Sequence, residues 1–395
     1  YGALLTALLR RRLAEAGLAA RFMGMGGTRM EAAGLERVVR AEDVAVMGLT
    51  EVLRHLPRVY GEYRKLKRSI RSRRPAVAVL IDSPEIHLRL AREFHRLGIP
   101  VVYFVSPQLW AWKKHRIRLV KRFVRRMAVI FPFEEEFYRE RGVEADFVGH
   151  PLADLPLPAV RREEFAAQNG LDAAKTWIGL LPGSRAREIG AHLPEMLKAA
   201  RILAESEREQ FEFVIPLAPT LNSEQRRTAA RQVEELARGL AVFLVDDARA
   251  TLRHARASLV ASGTATVEAA LIGNPFVAVY RVSAVTYAIA KRMVKVPHVA
   301  MPNLIAGRRV IPELIQNDFT ASKCVQYLRR LLPDGADRQS MMEELAAVGN
   351  ALRSRPASGR GGNAIERVAE IVLEQVAESR RGSPVRQTAQ FSTCL

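Results

Sequence analysis

The chain has only two cysteines, Cys324 and Cys394, in 395 residues. That is too few for a disulfide framework or a cysteine-held metal cluster. No apolar run approaches the roughly 18 residues needed to span a bilayer. The apolar opening from Gly2 to Leu9 is short, and its arginines (Arg10, Arg11, Arg12) follow it, the reverse of a secretory signal. The expectation is a cytoplasmic protein in a reducing compartment. Acidic residues are also scarce: 42 Asp and Glu stand against 61 Lys and Arg, a net charge of +19. Partners should therefore be anionic, whether nucleic acid, acidic lipid head groups or phosphorylated substrates. No recognisable nucleic-acid-binding motif or basic–aromatic sheet signature is present, which argues against the first of these.

What is present is a 48% hydrophobic chain with mean hydropathy −0.05, long enough for two globular domains. Strand-length apolar runs alternate with helix-period segments, the pattern of parallel sheets covered by helices on both faces. In the first half the expected strands are 21–25, 77–81, 101–105, 127–131 and 146–148. A proline-rich stretch from Pro151 to Pro158 fits neither period and reads as a linker. The alternation restarts with strands at 177–181, 211–216, 242–245, 258–260 and 276–279, and helices follow to about residue 378. The expected division is a first domain over 1–158, a second over 159–355, a C-terminal helix over 356–379 and a disordered tail over 380–395. Ligands of doubly wound sheets sit beyond the carboxyl ends of the strands, so the two halves are expected to face each other across a cleft.

The most informative segment runs from Ser262 to Leu271 (Ser-Gly-Thr-Ala-Thr-Val-Glu-Ala-Ala-Leu). It follows an apolar strand, and Ser262, Gly263 and Thr264 stand where a helix start presents free N–H groups to an anion. Glu268 lies four residues after Thr264 on the same helix face, where a carboxylate can accept from vicinal ribose hydroxyls. Ordinary helix capping also fits the segment alone. Leu180-Leu181-Pro182-Gly183-Ser184-Arg185 ends another strand of the same half. Its glycine allows close backbone approach, Ser184 can cap, and Arg185 offers a forked cation to a diphosphate. Tyr280-Arg281 ends a further strand, and Pro302 to Arg308, with Asn303, reads as a polar, glycine-bearing loop.

In the first half, Ile81-Asp82-Ser83-Pro84-Glu85-Ile86-His87 follows a strand. Asp82, directly at the strand end, is the better candidate to take a proton from an acceptor hydroxyl, with helix capping by Asp82 or Ser83 as the plain alternative. Ser106-Pro107-Gln108-Leu109-Trp110-Ala111-Trp112 sets two tryptophans beside a basic run, which suits contact with lipid or a sugar face. His150 could orient a ligand or be a satisfied loop histidine. Met47, Leu49, Leu53 and Leu56 recur at near-helical spacing before the cations Arg64, Lys65, Lys67 and Arg68. A core helix with a wet face explains them, and so does a segment lying on an anionic membrane.

Together these segments, with Gly-Met-Gly-Gly-Thr-Arg-Met (24–30), Ala-Val-Met-Gly-Leu-Thr-Glu-Val (45–52) and Phe-Val-Gly-His-Pro (147–151), resemble the lipid-A-disaccharide synthase family in order over nearly the whole chain. The resemblance implies the GT-B architecture: two doubly wound Rossmann-like α/β domains, acceptor in the first and nucleotide sugar in the second. It implies transfer of 2,3-diacylglucosamine from UDP-2,3-diacylglucosamine to 2,3-diacylglucosamine 1-phosphate, with inversion and release of UDP. Asp82 and Arg185 match the family's catalytic positions. Gly183, Ser184, Arg185, Ser262, Gly263, Thr264, Glu268, Tyr280, Arg281 and Asn303 would then hold the donor, and Glu85, Ser106, Gln108, Trp110 and His150 the acceptor. No metal or other cofactor is implied. The protein would lie on the cytoplasmic face of the inner membrane, with a homodimer left open. Glu85 and His87 depart from the family's usual aspartate and asparagine. The family's first strand and Gly-Glu-Ser-Gly-Asp type loop would precede Tyr1, so this chain is expected to have a gap in its first sheet and impaired transfer. One rival reading is another UDP-sugar transferase of this architecture, such as the one adding N-acetylglucosamine to a lipid-linked peptidoglycan precursor; its glycine-rich acceptor loop is not seen here. The remote rival is a nucleic-acid-binding protein.

Overall fold

The computed structural model describes residues 1–41, 49–112, 114–206, 211–293, 296–354, 362–381 and 389–394. The chain divides into two compact units, Tyr1–Asp154 with Leu352–Leu395, and Leu155–Ala351.

The first unit opens with α1 (Gly2–Glu15), where Leu5, Leu9 and Leu13 recur every fourth residue and are buried. Next come β1 (Ala20–Gly26), α2 (Thr28–Ala32), β2 (Leu35–Arg40), α3 (Leu49–Arg73) and β3 (Val77–Ile81). The alternation continues through α4 (Pro84–Arg96), β4 (Val101–Phe104), α5 (Ile117–Phe123), β5 (Arg126–Val129), α6 (Pro132–Arg139) and β6 (Ala145–Phe147). Every residue of β3 and β4 is buried, as strands covered on both faces require; Val-Ala-Val-Leu-Ile is accordingly an unbroken apolar run.

The second unit contains α7 (Arg162–Asn169), β7 (Thr176–Leu181), α8 (Ala186–Ser206), β8 (Phe211–Pro216), α9 (Ser223–Leu236) and β9 (Val242–Val245). It continues with α10 (Ala248–His254), β10 (Ala257–Ala261), α11 (Thr264–Ile272), β11 (Phe276–Tyr280) and α12 (Ala284–Met293). Then come α13 (Met301–Ala306), β12 (Glu313–Ile315), α14 (Ala321–Leu331) and α15 (Ala336–Ala351). Its six strands are parallel in the order β12-β11-β10-β7-β8-β9, so the winding reverses between β10 and β7. The segment from Pro302 to Arg308, expected as a loop, is mostly α13; Pro302 stands in its first turn, where a missing N–H costs nothing.

The chain ends in the first unit with α16 (Ala364–Arg381), which packs on α1, and β13 (Ala389–Cys394). All seven strands of the first sheet are parallel, in the order β2-β1-β13-β3-β4-β5-β6. Two expectations are corrected here. Part of the tail expected to be disordered is a sheet strand, and no gap is left between β1 and β3, because β13 pairs with both. Backbone donors and acceptors of a buried strand need partners, and a polar segment can supply them as well as an apolar one. No described helix is long and apolar enough to cross a membrane.

Candidate active site

In the second unit β7 and β10 lie side by side at the reversal, with Leu181 opposite Val260. Both candidate loops therefore leave the sheet at the edge where doubly wound folds bind ligands. Gly183 has φ 120°, and an added Cβ would stand 2.6 Å from Glu188 Oε2, so only glycine fits without a shift. Glu188, in the first turn of α8, accepts from the Ser184 N–H at 3.0 Å, the Arg185 N–H at 3.3 Å and the Arg185 guanidinium at 2.8 Å. The loop's donors thus already converge on one anion, a carboxylate of the protein itself.

The second loop supplies a helix start. Gly263 precedes α11 with φ 150°, and no side chain caps the helix. Ser262 Oγ, which could have capped, instead donates to the Val299 carbonyl at 3.3 Å, and within the helix Thr266 Oγ1 donates to the Gly263 carbonyl at 2.7 Å. The Thr266 N–H bonds back to the Gly263 carbonyl at 3.1 Å, while among the described residues the Thr264 and Ala265 N–H groups make no hydrogen bond and keep their capacity for an anion. Glu268 is half-buried, and burial raises its pKa, with Arg249 opposing and Asp247 reinforcing. Among the described residues its carboxylate accepts no hydrogen bond, so it is available to a polar ligand.

Two other donor-site candidates are engaged by protein groups. The Arg281 guanidinium lies 3.5 Å from Glu195, donates to the Phe319 carbonyl and stands over the Phe319 ring. The assignment of Asn303 is corrected. It is fully buried; its amide donates to the Ile311 carbonyl at 3.0 Å and Glu313 at 2.7 Å, while its oxygen accepts from Val310 N–H at 2.7 Å and Ile311 N–H at 2.9 Å. All four of its bonding positions are filled, so Asn303 braces the turn between α13 and β12 instead of touching ligand.

In the first unit β3 ends in two consecutive left-handed residues, Asp82 at φ 54° and Ser83 at φ 44°, and Val105 after β4 has φ 61°. Such conformations cost about 1–3 kcal/mol each and persist only when the surroundings over-determine them. The surroundings do so at Asp82: its carbonyl accepts from the Tyr103 hydroxyl at 2.6 Å and from His87 Nδ1 at 2.7 Å. Ser83 is the N-cap of α4 but makes no side-chain cap bond, and the Asp82 carboxylate accepts no bond among the described residues. Asp82 is exposed. The capping alternative is therefore not what the structure uses; the backbone is pinned and the carboxylate is presented.

The acceptor candidates divide. Gln108 is exposed and Trp112 is 40% exposed. Trp110 is corrected: it is buried, donates from Nε1 to Glu134 at 3.0 Å and meets the Phe133 ring edge-on at 5.0 Å. Ser106 is buried as well, 3.0 Å from the Tyr138 hydroxyl. Glu85 makes a bidentate pair with Arg116 at 2.8 and 2.9 Å. His150 is buried, its Nδ1 accepts the Leu152 N–H at 3.1 Å, and burial lowers its pKa to about 4.

Of the membrane candidates, Met47 lies outside the described residues, as do the side chains of Leu49, Leu53 and Leu56 on α3. Arg64, Lys65 and Arg68 are exposed, while Leu66 and Ile70 of the same helix are buried. Lys67 is corrected: it is tied to the buried Glu93 at 2.9 Å and is not available to a surface.

Sequence reasoning missed His192, which bridges two of the donor-edge loops, and Tyr103, which pins Asp82. Both sit among apolar residues of regular elements, where only the need of a buried polar group for partners gives a signal.

Residues 2–358 match the family described as lipid-A-disaccharide synthetase. The chain is 57% identical to the lipid-A-disaccharide synthase of Acidobacterium capsulatum over 98% of this chain and 96% of that one. Among solved structures it is similar to a UDP-GlcNAc 2-epimerase from Neisseria meningitidis bound to UDP-GlcNAc (TM-score 0.61, 13% identity, 94% of this chain and 96% of that one). It is also similar to the calicheamicin glycosyltransferase CalG4 (TM-score 0.54, 17% identity, 95% of this chain and 94% of that one). Those two likenesses bear on the fold.

Proposed function

The chain belongs to the lipid-A-disaccharide synthase family, glycosyltransferases of GT-B fold, and from that membership we propose how its residues divide the reaction. The second unit binds UDP-2,3-diacylglucosamine. Its diphosphate takes the N–H groups of Ser184 and Arg185, the Arg185 guanidinium and the start of α11, and Glu268 accepts from the ribose hydroxyls. The first unit binds 2,3-diacylglucosamine 1-phosphate and supplies Asp82 as general base.

In the reaction the acceptor oxygen forms a bond to the anomeric carbon as the bond from that carbon to the diphosphate oxygen breaks. The acceptor proton goes to the Asp82 carboxylate, and UDP leaves with the electron pair. Displacement from the face opposite the leaving group inverts the anomeric centre. Charge grows on the diphosphate as the bond breaks, so the Ser184–Arg185 donors and the α11 start act most strongly in the transition state. The observation that carries this reading is the convergence of the Ser184 and Arg185 donors on one carboxylate at the sheet reversal. A site that holds a carboxylate with three donors has the chemistry for a phosphate.

We further propose that the protein sits on an anionic membrane surface, where its acylated substrates lie. The exposed cations Arg64, Lys65 and Arg68 support this, each worth on the order of 1 kcal/mol against such a surface.

Calorimetric titration with UDP tests the donor half. Arg185→Glu should weaken binding at least about tenfold, because it replaces a charge-assisted donor with a like charge. Glu268→Ala should weaken UDP and leave free pyrophosphate nearly unchanged. Equal UDP affinity in wild type and both variants rejects the assignment.

A further inference from the structure

His192 lies in α8, fully buried, with Nδ1 2.7 Å from the Pro182 carbonyl and Nε2 2.9 Å from the Arg281 backbone nitrogen. A carbonyl can only accept, so Nδ1 carries the proton. An amide N–H can only donate, so Nε2 carries the lone pair. Both bonds select the same neutral tautomer, and a doubly protonated ring would lose the Arg281 bond. Burial lowers the pKa of the ring, against the Pro182 carbonyl and Glu188, which favour its charged form.

The two bridged groups belong to different loops. Pro182 opens the turn that presents the Ser184 and Arg185 donors, and Arg281 follows β11. In the sheet β7 and β11 flank β10, which leads into Ser262 and α11. The imidazole therefore ties together the loops on either side of that helix start. The rings of Tyr280 at 5.6 Å and Phe319 at 6.0 Å lie around it. An apolar side chain could fill the same volume, but it would leave a buried carbonyl and a buried N–H without partners.

We propose that His192 is a positioning residue for the nucleotide-sugar diphosphate, holding the Pro182–Arg185 turn and the Arg281 backbone in fixed relation so that the Ser184 and Arg185 donors stay aligned with the start of α11. This rests on the reading of the second unit as the donor half. His192 itself touches no reacting atom.

Steady-state kinetics with both acylated substrates tests it, using His192→Phe, His192→Gln and His192→Asn, with Glu268→Ala as the control for the donor reading. His192→Phe should raise the donor KM at least about tenfold and lower kcat as well, because the misaligned donors also act in the transition state, while the acceptor KM changes less than about threefold. His192→Gln, whose amide oxygen can take the Arg281 N–H, should recover most of the donor KM. If His192→Phe does not fold, His192→Asn takes its place. It keeps a donor for Pro182 but lacks reach to Arg281, and its donor KM should rise at least about threefold. A purely structural histidine would instead lower the active fraction, and with it the apparent kcat, at unchanged donor KM; that result overturns the proposal. A raised donor KM in Glu268→Ala beside unchanged values in the folded His192 variants rejects the role of His192 alone. Unchanged donor KM in Glu268→Ala rejects the donor reading beneath it.

Discussion

Asp82→Asn and Asp82→Gly separate chemistry from architecture at one position. Asp82 is held at φ 54° through its carbonyl by Tyr103 and His87, while its carboxylate is exposed and caps nothing. Asparagine tolerates the left-handed region as aspartate does, so Asp82→Asn should change stability by no more than about 0.5 kcal/mol. Glycine removes the left-handed penalty of about 1–2 kcal/mol but loses more chain entropy on folding. The net for Asp82→Gly should lie between no change and a gain of about 1 kcal/mol. Both variants remove the carboxylate proposed as the base. Turnover per folded molecule should fall at least about 10²-fold, equivalent to about 2.7 kcal/mol on the barrier. Thermal unfolding and product assays on the same preparations read both quantities. Opposite movements in Asp82→Gly, stability held or raised and turnover lost, are the signature of a strained functional residue. Turnover within threefold of wild type in folded Asp82→Asn would refute the argument.

Gly183→Ala puts a Cβ 2.6 Å from Glu188 Oε2 at φ 120°, so UDP affinity by calorimetry should fall about tenfold or more. Unchanged affinity would mean the loop does not line the donor site. Burial raises the Glu134 pKa from 4.5 to about 7, so this carboxyl's contribution to stability is full below 4.5 and lost as pH rises through 7; at about 1.4 kcal/mol per pH unit that is about 3 kcal/mol. His150, held at about 4 against 6.5, works in the opposite sense, contributing above 6.5 and losing that as pH falls through 4, so Glu134→Gln should unmask a rise of stability with pH between 4.5 and 6.5, and a pH-independent difference from wild type would sink this. Replacing Arg64, Lys65 and Arg68 together by glutamine should weaken cosedimentation with anionic vesicles and flatten its salt dependence; binding indifferent to the substitutions removes α3 from the membrane contact.

The strands β3 and β9 are legible to the residue because each is a compact apolar run between breaks in the pattern, and β8 because only Glu212 interrupts its apolar residues. β2 is not, since Glu36, Arg37 and Arg40 give it the composition of a wet edge, and β12 has only three residues. β13, Ala-Gln-Phe-Ser-Thr-Cys, reads as a polar tail; its place comes from the pairing that β1 and β3 offer, which no local pattern encodes. The turns proposed to hold the donor, Pro182–Arg185 and Ser262–Glu268, are contiguous segments that follow apolar strands, so their place at strand ends can be read locally. Trp110 and Asn303 are not, because the groups that bury and saturate them, Glu134 on α6 and the backbone before β12, are separated from them in sequence. His192 does leave a trace: it is the polar member of a stripe otherwise formed by Ile189, Leu193 and Met196.

The division of labour proposed for this chain joins the two acylated glucosamines through a donor half in the second unit and a base in the first. Its most direct test is to incubate the purified protein with UDP-2,3-diacylglucosamine and 2,3-diacylglucosamine 1-phosphate, measuring UDP released and disaccharide 1-phosphate formed in the same sample. Equal molar amounts of the two products are expected, both abolished by Arg185→Glu and both reduced at least about 10²-fold by Asp82→Asn. UDP release without disaccharide, or disaccharide formed at an undiminished rate by both variants, would contradict it.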